Sequence, residues 1–114
     1  MAELTNIGVF ARRLAQARAR SGLSQRELGI KAGLDRYVAS PRINQYERGK
    51  HAPSVGTAKQ LAEALGVPPA FLYTEDELLA TLLLRWNDLS VREKKALVKQ
   101  AGATEPKQTK SSAR

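Results

Sequence analysis

The sequence contains no cysteine and only one histidine, His51, among its 114 residues. Without cysteine there can be no disulfide bond and no thiolate metal site, and a single histidine cannot supply several imidazole ligands. We therefore expect neither a metal nor another cofactor. The absence of cysteine also fits a reducing compartment.

Long apolar runs are absent as well. No stretch approaches the 18 or more apolar residues that indicate a membrane span. The N-terminal residues MAELTNIGVF lack the basic region and long apolar core of a signal peptide. These features predict a cytoplasmic protein that does not enter a membrane.

The carboxylates show no clustering that would suggest an active site. They are scattered along the chain or stand at helix-capping positions, and no thiol and only one imidazole are available to work with them. A catalytic site would need clustered carboxylates for metal, or a nucleophile beside a base. We therefore expect no enzymatic activity.

Aromatic residues are few, valine and isoleucine are sparse, and alanine and leucine dominate, which favours helices over strands. The chain is strongly basic, with a net charge of +8. Up to Tyr73 there are eleven lysines and arginines against five acids, and after it eight against six. An anionic partner is therefore expected to bind mainly to the first part of the chain.

Residues 24–50 have the pattern of two helices joined by a turn. Ser24 and Glu27 form a capping box, in which each side chain binds the backbone N–H of the other residue. Gly33 ends this helix, because glycine enters the left-handed conformation at little cost. The pattern predicts a helix over residues 25–32.

The helix after the turn carries side chains suited to base recognition. Ser40 and Pro41 predict its start, with serine as the N-cap and proline at the first helical position. Ile43 and Tyr46 are three residues apart and should face inward. The outward residues are all hydrogen-bond donors or dual donor–acceptors, and none is acidic: Ser40, Arg42, Asn44, Gln45 and Arg48.

With these residues, the chain resembles the Cro/repressor-type (XRE) helix-turn-helix family. The resembling segments are GLSQRELGIKAGL, INQYERGKHAPS and LAEALGV, within about residues 7–73. The resemblance implies an all-α, five-helix, lambda-repressor-like domain that binds double-stranded DNA. Base edges would be contacted by Ser40, Arg42, Asn44 and Gln45, and phosphates by Gln25, Arg36, Arg48 and Lys50.

The resemblance also implies a structural ion pair between Arg18 and Glu47. Arg18 lies four residues before Gly22 and Glu47 lies just before Arg48-Gly49, where the family has an arginine and a glutamate. The pair would tie the first helix to the third and orient the helix that contacts DNA. The other arginines of the first helix, Arg12, Arg13 and Arg20, are expected on a solvated face or at phosphates.

The turn departs from the family pattern, because Gly33 to Glu47 is about four residues longer than usual. In one account the third helix still begins at Ser40 after a longer loop, with Arg36 and Tyr37 near the phosphates. In the other it begins at Asp35 and carries Pro41 internally. An interior proline costs about 3 kcal/mol, which favours the first account.

The remaining sequence predicts three parts. The DNA-binding domain spans residues 1–73 and includes a fourth helix capped by Ser54 and a short fifth helix at Pro69–Tyr73. Residues 74–102 form a two-helix extension, with capping boxes at Thr74 and Ser90. Residues 103–114 form a polar, basic tail that is expected to be disordered.

The extension has three possible uses: dimerisation, packing on its own domain, and capture of a protein partner. Dimerisation would place two DNA-binding heads one helical turn apart, about 34 Å. The chain is thus interpreted as a sequence-specific transcriptional regulator, a repressor acting as a homodimer on an inverted repeat. The alternative is the antitoxin of a toxin–antitoxin pair that also regulates its own promoter.

Overall fold

The structure, a computed structural model, describes residues 8–106, and this part of the chain is all-helical. The helices are α1 (Gly8–Ser21), α2 (Gln25–Lys31), α3 (Ala39–Glu47), α4 (Val55–Leu65), the 3₁₀ helix η1 (Pro69–Tyr73), α5 (Glu77–Trp86) and α6 (Val91–Gln100). The predicted all-α, lambda-repressor-like class with C-terminal helices is confirmed. An N-terminal cap at Thr5 or Asn6 and residues 107–114 of the tail lie outside the described residues.

Two capping boxes form as the sequence predicts. Ser24 Oγ accepts the N–H of Glu27 at 2.9 Å, and Glu27 Oε1 accepts the N–H of Ser24 at 2.8 Å. Ser90 and Glu93 make the same reciprocal pair at the start of α6. The hydrogen bond from the Ser24 backbone lowers the pKa of Glu27, because it stabilises the carboxylate form.

The predicted start of α3, with Ser40 as the N-cap, is wrong by two residues, because Val38 is the N-cap. The helix begins at Ala39, its first backbone bond runs from the Arg42 N–H to the Val38 carbonyl at 2.9 Å, and no side chain caps it. Pro41 is therefore the third helical residue rather than the first. Its missing N–H does no harm there, because the first N–H groups of a helix have no partner within the helix. The longer-loop account of the turn is closer to the structure than a helix from Asp35.

A glycine allows α2 and α3 to approach closely. A Cβ atom placed on Gly29 would lie 2.6 Å from the Ala39 Cβ and 2.9 Å from its Cα. Ala39 is itself fully buried. The contact fixes where α3 begins, since packing against Gly29 holds Ala39 in place although its neighbours provide no cap.

One hydrophobic core joins the helix-turn-helix to the helices that follow. Its fully buried members come from α1, α2, α3, α4 and η1: Leu14, Leu28, Ile43, Leu61, Phe71 and Leu72. Ala80 of α5 belongs to the same cluster, and Leu83 and Leu84 pack against it. One face of α5 therefore completes the core that α1 to α4 and η1 form.

Arg13 attaches the extension to α1 from inside the protein. Its side chain is only 1% exposed, and its guanidinium donates to the carbonyls of Thr74 at 2.8 Å and Glu75 at 3.2 Å. It also donates to both carboxylate oxygens of Glu77. Arg13 thus lies neither on a solvated face nor at a phosphate.

These bonds also correct the predicted capping box at Thr74. The N-cap of α5 is Asp76, whose Oδ1 accepts the Leu79 N–H at 3.0 Å. The Arg13 guanidinium lowers the pKa of Glu77 by hydrogen bonding to its carboxylate. A lowered pKa means that this link stabilises the fold above the ordinary glutamate pKa of about 4.3 and that the stabilisation is lost as the pH falls through the folded-state value.

The opposite face of α5 is apolar but uncovered. Leu78 is 84% exposed, and Leu79 and Leu82 are also exposed. Helix α6 has no buried residue at all, and Lys94 Nζ lies 5.3 Å from the centre of the Trp86 ring. The extension therefore packs on its own domain through one face and leaves a second, leucine-rich face open.

The close approach of α2 and α3 predicts that Gly29→Ala lowers stability. Overpacking of this kind costs about 1–3 kcal/mol, and the better helix propensity of alanine returns at most about 1 kcal/mol. We expect a net loss of about 1–2 kcal/mol in the free energy of unfolding, measured by urea denaturation.

Gly56→Ala is the matched control. It also lies in a helix, but its added Cβ would meet only the Ser54 Oγ at 3.9 Å. We expect it to be neutral or slightly stabilising. Equal stability of the two variants would show that the Gly29–Ala39 contact does not constrain the fold.

Candidate nucleic-acid interface

Helix α3 is held by three buried residues and presents the rest of its surface outward. Ala39 and Ile43 are fully buried and Tyr46 is 5% exposed. Pro41 and Arg42 are exposed. Three polar residues on the outer surface are half-buried: Ser40, Asn44 and Gln45. All four residues predicted to contact bases therefore lie on or beside the outer surface of α3.

A hydrogen-bonded network fixes α3 against α1 and α2. Arg18 Nε donates to Glu47 Oε2, and a second guanidinium nitrogen donates to Glu47 Oε1 at 3.0 Å. The third Arg18 nitrogen donates to the Leu23 carbonyl at 3.1 Å. Glu47 is 8% exposed and Arg18 is 24% exposed, so the pair is largely shielded from water. The hydrogen bond to Glu47 raises the pKa of Arg18, which keeps it charged.

Gln25 extends this network from the start of α2. Its side-chain nitrogen donates to Glu47 Oε1 at 3.1 Å and to Asn44 Oδ1 at 3.3 Å. Both amide hydrogens of Gln25 are therefore engaged within the protein, and one Asn44 acceptor is occupied. From the family resemblance we expected Gln25 to contact phosphates and Asn44 to contact bases. Nothing in the sequence indicated that the two side chains would bind each other.

Arg42 and Gln45 line one open concavity beside α3. This depression of about 270 Å³ is also lined by Tyr46, His51 and Ala52. The loop after α3 therefore brings His51, the single histidine, beside two of the residues predicted to contact bases. From the sequence alone, His51 is either an ordinary loop residue or a phosphate contact.

The left-handed backbone conformation of Gly49 turns the chain back so that Lys50 lies beside the end of α3. Its φ of +72° lies in the left-handed region, which a side chain would disfavour. The Lys50 N–H then donates to the Gln45 carbonyl at 2.9 Å. Arg48 and Lys50 are both exposed at this end of the helix.

Two sets of cations, those of α1 and those around α3, differ in their ion pairing. Those of α1 pair with carboxylates: Arg12 and Arg13 with Glu77, Arg18 with Glu47, and Arg20 with Asp88. Four exposed cations surround α3, namely Arg36, Arg42, Arg48 and Lys50. Within residues 8–106, no ion pair engages any of these four. The surface around α3 therefore carries uncompensated positive charge.

Two structural features are absent from residues 8–106, a cluster of metal-ligand side chains and a membrane-spanning helix. No group of three histidines, aspartates or glutamates comes together among the described residues. None of the described helices has the length and apolar character needed to cross a bilayer.

A helix-turn-helix family matches residues 14–72, which is slightly more than half of the chain and includes α2, the turn and α3. The chain belongs to this helix-turn-helix family, and the resemblance to its Cro/repressor (XRE) type is confirmed. The all-helical fold and the helix-turn-helix are thus those of a known class of nucleic-acid-binding domain.

A solved structure adds a relative of known class. The chain is similar to the crystal structure of transcriptional regulator BswR, with 43% sequence identity and a TM-score of 0.74. The similarity covers 81% of this chain and 91% of that chain, so it includes part of the extension as well as the helix-turn-helix. Among curated proteins, none matches the sequence.

The network at Glu47 predicts that removing either ionic partner destabilises the fold. Breaking a buried ion pair costs about 3–5 kcal/mol, and the partial exposure of Arg18 reduces this to about 2–3 kcal/mol. We expect Arg18→Ala and Glu47→Ala each to show such a loss in urea denaturation, and the double variant to lose less than their sum.

Arg20→Ala serves as the control, because its pair with Asp88 is 3.7 Å long and exposed on both sides. It should change stability by less than about 0.5 kcal/mol. If Arg18→Ala behaved like Arg20→Ala, the Arg18–Glu47 pair would not hold α3 in place.

Proposed function

We propose that this protein is a sequence-specific, double-stranded DNA-binding transcriptional regulator that acts as a dimeric repressor on an inverted repeat. Family membership and the identity to a transcriptional regulator support a DNA-binding transcription regulator. The repressor action, the dimer and the inverted repeat are further steps, argued here from the surface of the chain. Repression would follow from occlusion of a promoter by the bound dimer.

The division of the cations is the observation that carries the proposal. Charge alone would be weak support, because exposed cations elsewhere, such as Lys31 and Lys59, also lack an ion pair within residues 8–106; the argument rests on the concentration of unpaired cations beside α3. Here the α1 arginines are neutralised by carboxylates, whereas the exposed cations around α3 are not. An array of uncompensated cations beside an outward helix of polar side chains suits a phosphate backbone and the groove between its strands.

Gln45 and Arg42 are the best candidates for direct base contacts. Arginine can donate two hydrogen bonds to guanine, and a glutamine or asparagine amide can pair with adenine through one donor and one acceptor. The Asn44 carbonyl already accepts from Gln25, whereas Gln45 makes no such side-chain bond within the described residues. We therefore assign adenine recognition to Gln45, with Asn44 and Ser40 as supporting contacts.

Phosphate contacts are assigned first to the cations. Arg36, Arg48 and Lys50 are exposed and would fix the register of the protein on the duplex without selecting a sequence. Gln25 could join them only by releasing one of its bonds to Glu47 or Asn44. Its main proposed role is therefore to orient α3.

We assign the dimer contact to the open leucine face of α5, formed by Leu78, Leu79 and Leu82. A second copy of this chain is the proposed occupant, because the surrounding charges are complementary between copies. The turn before α5 is acidic at Glu75 and Asp76, whereas α6 is basic, with Arg92, Lys94 and Lys99 in addition to Lys95, which pairs with Glu105 of its own chain. An antiparallel pairing of two extensions would place one copy's acids near the other's lysines.

The same leucine face is what the antitoxin alternative requires. A toxin would be captured on an apolar surface that dimerisation does not consume, and the protein would still bind its promoter through α3. Co-purification with a small toxic protein encoded beside it, together with a monomeric state in isolation, would favour this alternative over the dimeric repressor.

The assignment of roles predicts different effects for two alanine variants. Gln45→Ala should lose about 1–3 kcal/mol at one base position and so change sequence preference, because a base contact is removed. Lys50→Ala should weaken binding to all sequences and lower the slope of log K against log salt by about one, because one phosphate contact is lost. Binding titrations on matched and single-base-changed duplexes at several salt concentrations measure both effects. Equal, sequence-independent losses for the two variants would refute the division of roles.

The proposed dimer predicts that Leu78→Asp produces a monomer. This side chain is 84% exposed, so the substitution should leave the stability of the subunit nearly unchanged while placing a charge in the apolar contact. Val55→Asp is the control, since Val55 is 75% exposed on α4 rather than α5. Sedimentation equilibrium should show dimers for the wild type and the control. A wild type that stays monomeric, even on DNA, would contradict the proposed dimer.

A further inference from the structure

The turn between α2 and α3 is fixed at both ends and by its own hydrogen bonds. Leu34 packs against the core, and its N–H donates to the Gly29 carbonyl at 2.9 Å. Ala39 is fully buried at the other end. Between them, Asp35 Oδ1 accepts the Tyr37 N–H at 2.8 Å, and the Asp35 carbonyl accepts the Val38 N–H at 3.0 Å. The backbone of the longer turn is therefore a defined support.

The turn carries a cation, Arg36, beside an exposed aromatic ring, Tyr37. Tyr37 is 82% exposed, and the Arg36 guanidinium carbon lies 5.6 Å from the centre of its ring. The Asp35 carboxylate is already used by the backbone of the turn. Arg36 has no ion-pair partner in residues 8–106, and its guanidinium lies over the ring of Tyr37.

The pair stands directly before the end of α3 that approaches the bases. In helix-turn-helix proteins the N-terminal residues of the recognition helix contact base edges, and the groove is bordered by phosphates. Arg42, only a few residues later, is exposed on this first turn of α3. A guanidinium presented from the preceding turn is therefore placed to meet the border of the same groove.

We propose that Arg36 contacts a DNA phosphate and that Tyr37 is its positioning residue, holding the guanidinium over its ring before DNA arrives. This inference rests on the proposed DNA binding and assigns a purpose to the lengthened turn. A free arginine side chain loses considerable rotamer freedom when it is fixed on a phosphate. A cation–π contact that restricts the guanidinium beforehand reduces that loss and so raises affinity.

The inference predicts a double-mutant cycle with a specific outcome on mixed-sequence duplex DNA at low salt. Arg36→Gln should weaken binding and lower the salt slope by about 0.9, because one phosphate contact is lost. Tyr37→Ala should weaken binding about two- to fivefold, which corresponds to an exposed cation–π contact. The double variant should bind no more weakly than Arg36→Gln alone, because Tyr37 acts through Arg36.

Two further variants separate this role from others. Tyr37→Phe keeps the ring and should bind like the wild type, whereas a loss equal to that of Tyr37→Ala would mean that the hydroxyl itself contacts DNA and would overturn the positioning role. Lys59→Gln removes a cation beside Trp86 and should not change the salt slope as Arg36→Gln does. Urea denaturation of every variant should match the wild type, since all the altered side chains are exposed.

The outcomes distinguish this inference from the proposed function. If the wild type binds duplex DNA and Arg36→Gln leaves its affinity and salt slope unchanged, the phosphate contact is absent and only this inference fails. If Tyr37→Ala weakens binding equally with and without Arg36, the coupling between the two residues is absent. If the wild type does not bind duplex DNA, the proposed function fails as well.

Discussion

The Arg18–Glu47 ion pair is the interaction on which the placement of α3 depends. Glu47 stands at the end of α3 and is nearly buried, so it needs the charge of Arg18 and the amide of Gln25. The same guanidinium reaches the chain before α2 through the Leu23 carbonyl. One carboxylate thus connects α1, α2 and α3. All the hydrogen bonds of this network are made within the protein, so α3 is oriented before DNA is bound. A preorganised surface loses less entropy on binding.

Much of the fold could be predicted from local features of the sequence. The capping boxes at Ser24 and Ser90, the Ser54 cap and the glycines that end the helices are short-range signals, and they operate regardless of the distant structure. The helix-turn-helix family could be named from segments within residues 7–73. The outer surface of α3 followed from helical spacing, because burial of Ile43 and Tyr46 determines which residues face outward.

Most features that depend on distant partners could not be predicted, and the Arg18–Glu47 pair was expected only because of the family resemblance. In the sequence, Arg13 could not be distinguished from the exposed arginines Arg12 and Arg20 of the same helix. It is buried because the segment at Thr74 packs against α1. The sequence favoured Ser40 as the cap of α3, but tertiary contact between Gly29 and Ala39 placed the start at Ala39. The bond between Gln25 and Asn44 joins residues whose side chains each had a plausible DNA role. At the start of α3 the long-range contact outweighed a capping preference that is worth only about 1 kcal/mol, and in the other two examples the partner lies too far along the chain for local features to indicate it.

Selection of binding sites from a random duplex DNA library at physiological salt, followed by sequencing, tests the central claim most directly: that α3 recognises a DNA sequence in a dimer. The account predicts an enriched inverted repeat whose half-sites are centred about 10 base pairs apart, one turn of the duplex. A single enriched half-site would retain sequence recognition and contradict the dimer. Salt-sensitive binding without any enriched sequence would contradict the claim that α3 contacts base edges.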